Sequence, residues 1–300
     1  MKSGLNVIFA ALALLILSSC STTRVLKEDQ YRLQKNRIEI TNDQKFNPSQ
    51  LNKYLKQNES LGWSPFLYVY NWTNGKNGPW DRFVQRIGKA PVIYNPELVE
   101  TSVENIENHL EYIGYYGSRV NAEIRANGKK VNVKYNVTLG KRFPIKEIRL
   151  HLPQHGEFAE AFLADTSRFT IKKGDFLAES SLEAETERSS SILRNQGFYD
   201  FSKNNYFFEA DTLTDPGYAI LDLTVNEYTR NESPKEAEPI RRFYINNVSM
   251  SYPKDLEIKE SILLNLNTIV PGELYDEDAV NNTYSRLSAL RVFSSVNIGM

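Results

Sequence analysis

The chain lacks the residues with which small secreted proteins cross-link their cores. Among its 300 residues, Cys20 is the single cysteine and only three are histidines. One cysteine excludes an intramolecular disulfide, so the folded core depends on packing. His151 and His155 have a spacing that suits a metal site on a helix, but Pro153 lies between them. We therefore expect loop histidines and no metal site.

A recognisable catalytic motif is also missing. The serine run at 189–191 has no Gly-x-Ser-x-Gly elbow around it, and no Gly-rich phosphate loop occurs in the chain. We expect this run, and the neighbouring Glu183, Glu185 and Glu187, to form the solvated surface of a helix. A secreted hydrolase would need a catalytic cluster that the sequence does not display. We predict that the protein is not an enzyme, with no catalytic residues and no cofactor.

Charge of one sign is not in excess. The chain has 36 basic and 37 acidic residues, which give a formal net charge of -1, and the two signs are mixed along the sequence. Because nucleic-acid binding needs a concentrated basic surface, we expect no nucleic-acid partner. The N-terminal apolar run, Val7 to Leu17, is well short of the roughly 20 residues of a membrane-spanning helix.

That apolar run has the flanks of a cleaved signal peptide. Lys2 precedes it, and Leu17-Ser18-Ser19-Cys20 follows it. The four residues resemble the consensus of bacterial lipoproteins, in which the chain is cut before a cysteine whose thiol then takes the lipid. We predict a signal peptide over 1–19, lipidation at Cys20 and a linker over 20–29. A plain secretory signal with a cysteine nearby by chance is the alternative.

The clearest local pattern predicts a β-hairpin. Apolar and polar residues alternate from 120 to 126 and again from 131 to 139. Between the two runs stands Asn127-Gly128, the pair favoured in two-residue hairpin turns. One face of the hairpin is therefore apolar, and the other is wet.

The segments before the hairpin predict a small α+β domain over 30–140. Asn95-Pro96 begins a helix that Gly114 ends, and an earlier helix opens at Asn47-Pro48. A short strand around 38–40 comes first. The order of elements is therefore β-α-α-β-β.

An insertion over 59–92 separates the two helices of this domain. It contains Trp63, Trp72 and Trp80, which are all the tryptophans of the chain, and a loop-forming run at 74–79. These aromatics either contact lipid headgroups or a partner, or pack a long loop onto its own domain.

The same order of elements recurs over 141–229. Ile148 and Leu150 predict a strand, helices follow near 157–164 and 179–195, and two strands lie around 206–208 and 221–225. A third copy over 240–300 ends within its second strand, near 292–298, before its last strand. The polar stretch 230–239 is the predicted hinge. Repetition at this spacing predicts an array of small domains.

The turns around the second helix carry a family resemblance. The third copy has Pro271-Gly272 before this helix, and the second copy has Gly174 before it and Gly197-Phe198 after it. The first copy has Gly114-Tyr115 after it, whereas Arg291-Val292 stands there in the third. These turns resemble those of the POTRA domains of the BamA and TamA outer-membrane assembly factors. With the lipid site and three repeats, the chain resembles the TamA-like lipoproteins of Bacteroidetes.

The resemblance implies an α+β fold of tandem POTRA-like β-α-α-β-β domains, each a three-stranded mixed sheet packed on two helices, with no membrane barrel in this chain. It also implies that the second strand of each domain is an open edge to which another strand can add. The expected edge residues are Val120, Ala122, Ile124, Tyr206, Phe207, Phe208, Phe293, Val296 and Ile298.

The implied partners are unfolded outer-membrane protein clients or a TamB-like periplasmic protein, with the bilayer as a further partner through Cys20. The implied location is the outer membrane, with lipid anchoring and the domains in the periplasm. A scaffold that holds an envelope complex together without binding clients remains the alternative.

Overall fold

The computed structural model describes residues 22–43, 45–59, 64–76, 78–153, 156–227, 239–253 and 258–300. Cys20, Trp63, His155 and nearly all of the predicted hinge lie outside these residues. The chain divides into two compact units, residues 1–141 and 142–300. In the described ranges, no helix combines the length and the apolar character that crossing a bilayer requires.

The first unit begins with a strand and closes with a hairpin. Its elements in chain order are β1 (Arg32–Ile40), a 3₁₀ helix (Pro48–Tyr54), α1 (Pro65–Tyr70), α2 (Pro79–Ile87), α3 (Pro96–Tyr112), β2 (Arg119–Asn127) and β3 (Lys130–Thr138). The first predicted helix is thus a 3₁₀ helix, and the insertion, predicted as a long loop, contains α1 and α2.

The sheet of this unit has the order β1-β3-β2. β1 runs parallel to β3, with Leu33 opposite Val131, and β2 runs antiparallel to β3, with Val120 opposite Val137. Alternate side chains of β3 face the core and are buried, as period-two alternation requires. The core packs this face against α3 and the 3₁₀ helix, through Leu33, Leu51, Ile106, Leu110, Val131, Val133, Tyr135 and Val137.

α3 forms where the sequence signals placed it. The side chain of Asn95 accepts a hydrogen bond from the N–H of Glu97, and Pro96 occupies the first turn. Ile106 and Leu110, one turn apart, are fully buried. Gly114 ends the helix with φ 90°, in the left-handed region that favours glycine.

The hairpin turn differs from its prediction by one residue. β2 continues through Asn127, which pairs with Lys130, so the two turn residues are Gly128 and Lys129. Gly128 has φ 56°. Lys129 does not have a positive φ, because Arg291 is the only non-glycine residue with positive φ in the described ranges. A positive φ at the first turn position alone is typical of a type II′ turn, in which glycine takes that position. The predicted Asn127-Gly128 turn is therefore wrong.

The second unit repeats the architecture and adds two helices. Its elements are β4 (Ile145–His151), α4 (Glu157–Asp165), α5 (Glu179–Arg194), β5 (Tyr206–Asp211), β6 (Ala219–Val225), α6 (Glu260–Leu266) and α7 (Glu277–Ala289), with 3₁₀ helices at Thr166–Arg168 and Lys203–Asn205. The sheet order is β4-β6-β5, with the first pair parallel and the second antiparallel. Its core is aromatic, with Phe158, Phe162, Phe198, Phe201 and Tyr206 buried.

The predicted α+β fold class is confirmed, with two three-stranded mixed sheets backed by helices. The third copy, however, has no sheet in the described residues, and the strand predicted near 292–298 is not formed. In both complete sheets the two outer strands pair only with the central one. The described part of the third copy contains no central strand, so neither outer segment has a central strand to pair with.

One backbone clip recurs in all three copies. In each copy, an N–H of the first-strand segment donates to a carbonyl of the segment that precedes the second helix. Two residues after that carbonyl, an N–H of the preceding segment donates to a carbonyl of the first-strand segment. All six bonds are 2.8 Å long. The pairs are Leu33 to Val92 and Tyr94 to Tyr31, then Ile145 to Asp175 and Leu177 to Phe143, then Ile245 to Glu273 and Tyr275 to Phe243.

The predicted turn glycines serve this clip. Gly174 and Gly272 have φ 95° and 86°, and their N–H groups donate to the carbonyls of Ile145 and Ile245. A left-handed residue at each place turns the chain back onto the first-strand segment, which explains why glycine stands there.

Candidate functional site

The open edge of the first sheet is β2. The sheet order leaves β2 with β3 on one side and no strand on the other. The turn after α3 delivers the strand to this position, because Gly114 and Tyr115 donate their N–H groups back to the carbonyls of Glu111 and Leu110, both at 2.8 Å.

The direction of the backbone groups of β2 follows from one hydrogen bond. The N–H of Val120 donates to Oε1 of Glu107 on α3 at 2.8 Å, so this N–H points away from β3. Along an antiparallel strand, alternate residues direct both N–H and C=O to the same side. Ala122, Ile124 and Ala126 therefore present their backbone groups on the open side, and no hydrogen bond joins those groups to any part of the chain that the structure describes.

The side chains of these residues follow the same alternation. Val120 is buried, Ala122 is half-buried, and Ile124 and Ala126 are exposed, so an apolar row passes from the core into solvent. Ile124 is 50% exposed. A strand added beside β2 would gain backbone hydrogen bonds and a short apolar surface next to them.

β1, the other outer strand, is covered by its own chain. Arg32 forms an antiparallel bridge with Ile93, as part of the clip at its N-terminal end. Further along, Nδ2 of Asn36 donates to the carbonyl of Gln57 at 2.7 Å, and the N–H of Asn36 donates to the carboxylate of Glu59. Covering an edge in this way prevents strand addition.

β5 is the corresponding outer strand of the second sheet. The N–H of Asn226 donates to the carbonyl of Asn205 at 3.0 Å, which sets the alternation so that Tyr206, Phe208 and Ala210 direct their backbone groups away from β6. Tyr206 is buried, and burial raises the pKa of its phenol. Phe207 and Phe208 are half-buried, and Ala210 is exposed.

The third predicted edge is not an edge. Phe293, Val296 and Ile298 form no strand and are half-buried along a cavity of about 680 Å³. Ile245 and Val248 of the first-strand segment also line this cavity. Both outer segments of the third copy therefore contribute to one cavity.

The turn at Gly197-Phe198 serves the junction between the second and third copies. The carbonyl of Gly197 accepts the N–H of Phe243 at 2.8 Å, and a Cβ on Gly197 would lie 2.9 Å from a methyl carbon of Leu274. Nearby, Nε of Arg194 donates to Oε1 of Glu277 at 2.7 Å. The segments on either side of the predicted hinge are therefore in direct contact.

A buried ionic cluster on α5 corrects two predictions. Glu185 and the serines at 189 and 190, predicted to be solvated surface, are each at most 1% exposed. Arg188 donates to Oδ2 of Asp165 at 2.6 Å and to Oε1 of Glu185 at 2.5 Å. These bonds, first to Asp165 and then to Glu185, raise the pKa of the guanidinium. The i,i+3 spacing of Glu185 and Arg188 was the only sequence signal, because Asp165 lies on another helix.

The histidines do not form a metal site in the part of the chain that the structure describes. His151 is the last residue of β4, and its Nε2 lies 2.9 Å from Oδ1 of Asp222 on β6. His109 stacks on the ring of Tyr54 with 4.0 Å between centroids. Each of these two histidines has a packing or pairing role.

A comparison with protein-family models identifies the fold of the first unit. Residues 35–140 match the family model of POTRA, described as surface antigen variable number repeat. These residues have the POTRA fold. A comparison with curated protein sequences found no match.

Several solved structures are similar to the whole chain or to much of it. The POTRA3-5 structure of BamA from Haemophilus influenzae has 15% identity and a TM-score of 0.47, with 91% of each chain covered. The N-terminal domain of Omp85 from Thermosynechococcus elongatus has 11% identity and a TM-score of 0.28, again with 91% of each chain covered. BamA from Haemophilus ducreyi lacking POTRA domains 1-3 has 16% identity and a TM-score of 0.36, with 67% of this chain and 30% of that chain covered.

Proposed function

We propose that this chain is the periplasmic region of an outer-membrane protein assembly or translocation factor, and that it binds clients or a partner by strand addition at β2. The supporting observation is the row of outward backbone groups at Ala122, Ile124 and Ala126, beside the exposed side chain of Ile124. Backbone pairing is largely independent of side-chain identity, so it suits many unfolded outer-membrane clients or a TamB-like periplasmic partner. β5 is the second proposed edge.

Proline substitution tests this mechanism without breaking the sheet. Because the N–H of Ala122 points away from β3, Ala122→Pro removes a donor that an added strand would use but no donor of the β2–β3 ladder. With a photo-reactive residue at Ile124, client crosslinks are expected in the parent chain and in Ala122→Val, and their loss is expected in Ala122→Pro. Unchanged crosslinking in a folded Ala122→Pro protein would exclude strand addition at β2.

A scaffold without client binding is the second candidate. The observation in its favour is Glu107, whose carboxylate already occupies the first outward N–H of β2 and so shortens the open edge. If the chain is a scaffold that binds no clients, photo-reactive residues at positions 124 and 207 would form no crosslinks to client strands.

We also propose that Cys20 carries the lipid and tethers the N-terminus to the outer membrane. The support is the sequence Leu17-Ser18-Ser19-Cys20 after a short apolar run. Several acyl chains on one cysteine anchor stably without a spanning helix. Incorporation of labelled palmitate is expected in the parent chain and not in Cys20→Ser, and equal incorporation would exclude this site.

A further inference from the structure

The two helices of the insertion present a stripe of exposed aromatic side chains. On α2, Trp80, Phe83 and Ile87 are 50%, 55% and 45% exposed and lie on one face at i, i+3 and i+7 spacing. Nε1 of Trp80 donates to the carbonyl of Trp72, whose side chain is 49% exposed. Leu67 and Val84 make the buried contacts of the two helices instead. Trp72 and Trp80 are therefore not buried in the packing of the insertion onto its own domain.

The exposed charged side chains of the insertion helices and the loop between them are all positive. Arg82 and Arg86 lie one turn apart beside Phe83, and Lys76 and Lys89 are exposed before and after α2. The one acidic residue in the described ranges between 64 and 89 is Asp81, which is 1% exposed. Its Oδ1 accepts hydrogen bonds from Thr73 and Asn74, both at 2.7 Å. The exposed surface of this segment thus combines aromatic rings with cations.

The first described residues, from Thr22 to Val25, are held next to the insertion. The N–H of Val25 donates to Oδ1 of Asn71 at 3.3 Å, and Asn71 immediately precedes Trp72. Thr22 is 3% exposed and accepts a hydrogen bond from the guanidinium of Arg32. Cys20, the proposed lipid site, is two positions before Thr22 in the sequence. A lipid at this position would tether the described segment that contacts the insertion to the bilayer.

We propose that the surface formed by Trp72, Trp80, Phe83, Ile87, Arg82 and Arg86, the aromatic–basic surface, lies on an anionic lipid headgroup layer. Amphipathic rings favour the boundary between headgroups and acyl chains, and arginines beside them pair with lipid phosphates. The acyl chains hold the chain at the membrane, and this surface fixes how the first domain is oriented there. The position of the surface rests on the proposed lipidation of Cys20, but the inference does not depend on strand addition.

Tryptophan fluorescence tests the proposal directly, because the chain has no tryptophan outside the insertion. In the full chain, Trp63→Phe and Trp72→Phe leave Trp80 as the only tryptophan, which is excited selectively at wavelengths where tyrosine does not absorb. The protein is reconstituted in phosphatidylcholine vesicles with or without phosphatidylglycerol, each containing brominated phosphatidylcholine. We expect quenching of Trp80 to be at least about twofold stronger with the anionic lipid. High salt should remove the difference, because it screens exposed charges.

Charge reversal gives the matched comparison. Arg82→Glu with Arg86→Glu should reduce quenching to the level of pure phosphatidylcholine. Arg37→Glu with Arg125→Glu makes the same charge change at two exposed arginines of the sheet and should leave quenching unchanged. Circular dichroism verifies that each variant is folded.

Equal quenching in the two lipids, or full quenching in the Arg82→Glu, Arg86→Glu protein, would overturn the proposal. No quenching in either lipid would also overturn it. Should the charge variant not fold, the salt dependence of the parent chain decides. Client crosslinking at Ile124 is measured on the same proteins, so failure of the lipid contact and failure of strand addition remain distinguishable.

Discussion

The carboxylate of Glu107 occupies the position, opposite the N–H of Val120, that the carbonyl of an added strand would take. The bond is 2.8 Å long and ties the start of β2 to the last turns of α3. A client strand can therefore pair with β2 from Ala122 onward, whereas pairing at Val120 requires Glu107 to move away. One side chain thus sets where the open edge begins.

Removing that side chain should lengthen the edge. In Glu107→Ala the amide of Val120 loses a hydrogen bond to a charged group, which contributes about 1.5–3 kcal/mol. We expect amide hydrogen exchange at Val120 to accelerate at least about tenfold, with crosslinking from a photo-reactive residue at 120 increased. Glu104→Ala, an exposed residue one turn earlier on α3, is the control and should change neither readout. Unchanged exchange at Val120 would show that the bond does not restrain the edge.

The ionic cluster of the second unit leads to a stability prediction. Arg188→Met leaves the carboxylates of Asp165 and Glu185 buried without their cation, since both side chains are at most 3% exposed. Breaking a buried pair in this way costs about 3–5 kcal/mol. Urea unfolding should show this loss for the second unit.

The control for this prediction is an arginine of the same unit on the surface. Arg149→Met removes the pair with Glu147, in which both side chains are about half exposed, and should lower the stability much less than Arg188→Met does, because solvent screens the exposed pair. Replacing Asp165, Glu185 and Arg188 together by apolar residues should recover most of the stability. An equal loss for Arg188→Met and Arg149→Met would contradict a buried network.

The buried ionic cluster on α5 could not be predicted from the sequence, whereas several regular elements could. Alternation predicted β3, and the Asn95-Pro96 and Gly114 signals predicted α3, because these elements bury apolar side chains at regular spacing. The core face of α5 instead carries Glu185, Thr186 and two serines, so the polarity rule assigned it to solvent. Glu185 is compensated by Arg188, which also pairs with Asp165 of another helix, and Ser189 bonds to Tyr206 of β5. No local sequence pattern contains these long-range pairings.

The sequence also does not predict which sheet edges are open and which are covered. The alternation of β2 fixes which residues face the helices, but not that Glu107 closes its start or that Gln57 and Glu59 cover β1. Those contacts come from distant segments. The described residues of the third copy form no sheet for a similar reason, since the outer strands of the two complete sheets form against a central strand.

A helix terminus gives the third prediction. After α7, Arg291 adopts φ 54° where the first two copies have Gly114 and Gly197, with φ 90° and 97°. A non-glycine residue in this region costs about 1–2 kcal/mol. Arg291→Gly should therefore stabilise the second unit by about 1 kcal/mol, and Gly114→Ala should destabilise the first by a similar amount, both measured by urea unfolding. Destabilisation by Arg291→Gly would show that the arginine side chain has contacts that outweigh the backbone strain.

His109 gives the first unit a pH dependence. Its ring stacks on Tyr54, and burial, followed by the nearby charge of Lys53, lowers its pKa below the usual value of about 6.5. The folded state therefore binds this proton less readily than the unfolded state. Stability from this group is fully present above about pH 6.5 and is lost as the pH falls from there toward the folded pKa.

Phenylalanine at this position should remove that dependence while keeping the ring. We expect the unfolding free energy of the first unit to fall between about pH 7.5 and 5 in the parent chain, and to fall less in His109→Phe. His151→Gln is the control, because His151 is 55% exposed and belongs to the second unit. In the His151→Gln variant, the first unit should retain the pH dependence that it has in the parent chain. An identical pH profile for His109→Phe and the parent chain would show that His109 titrates alike in the folded and unfolded states.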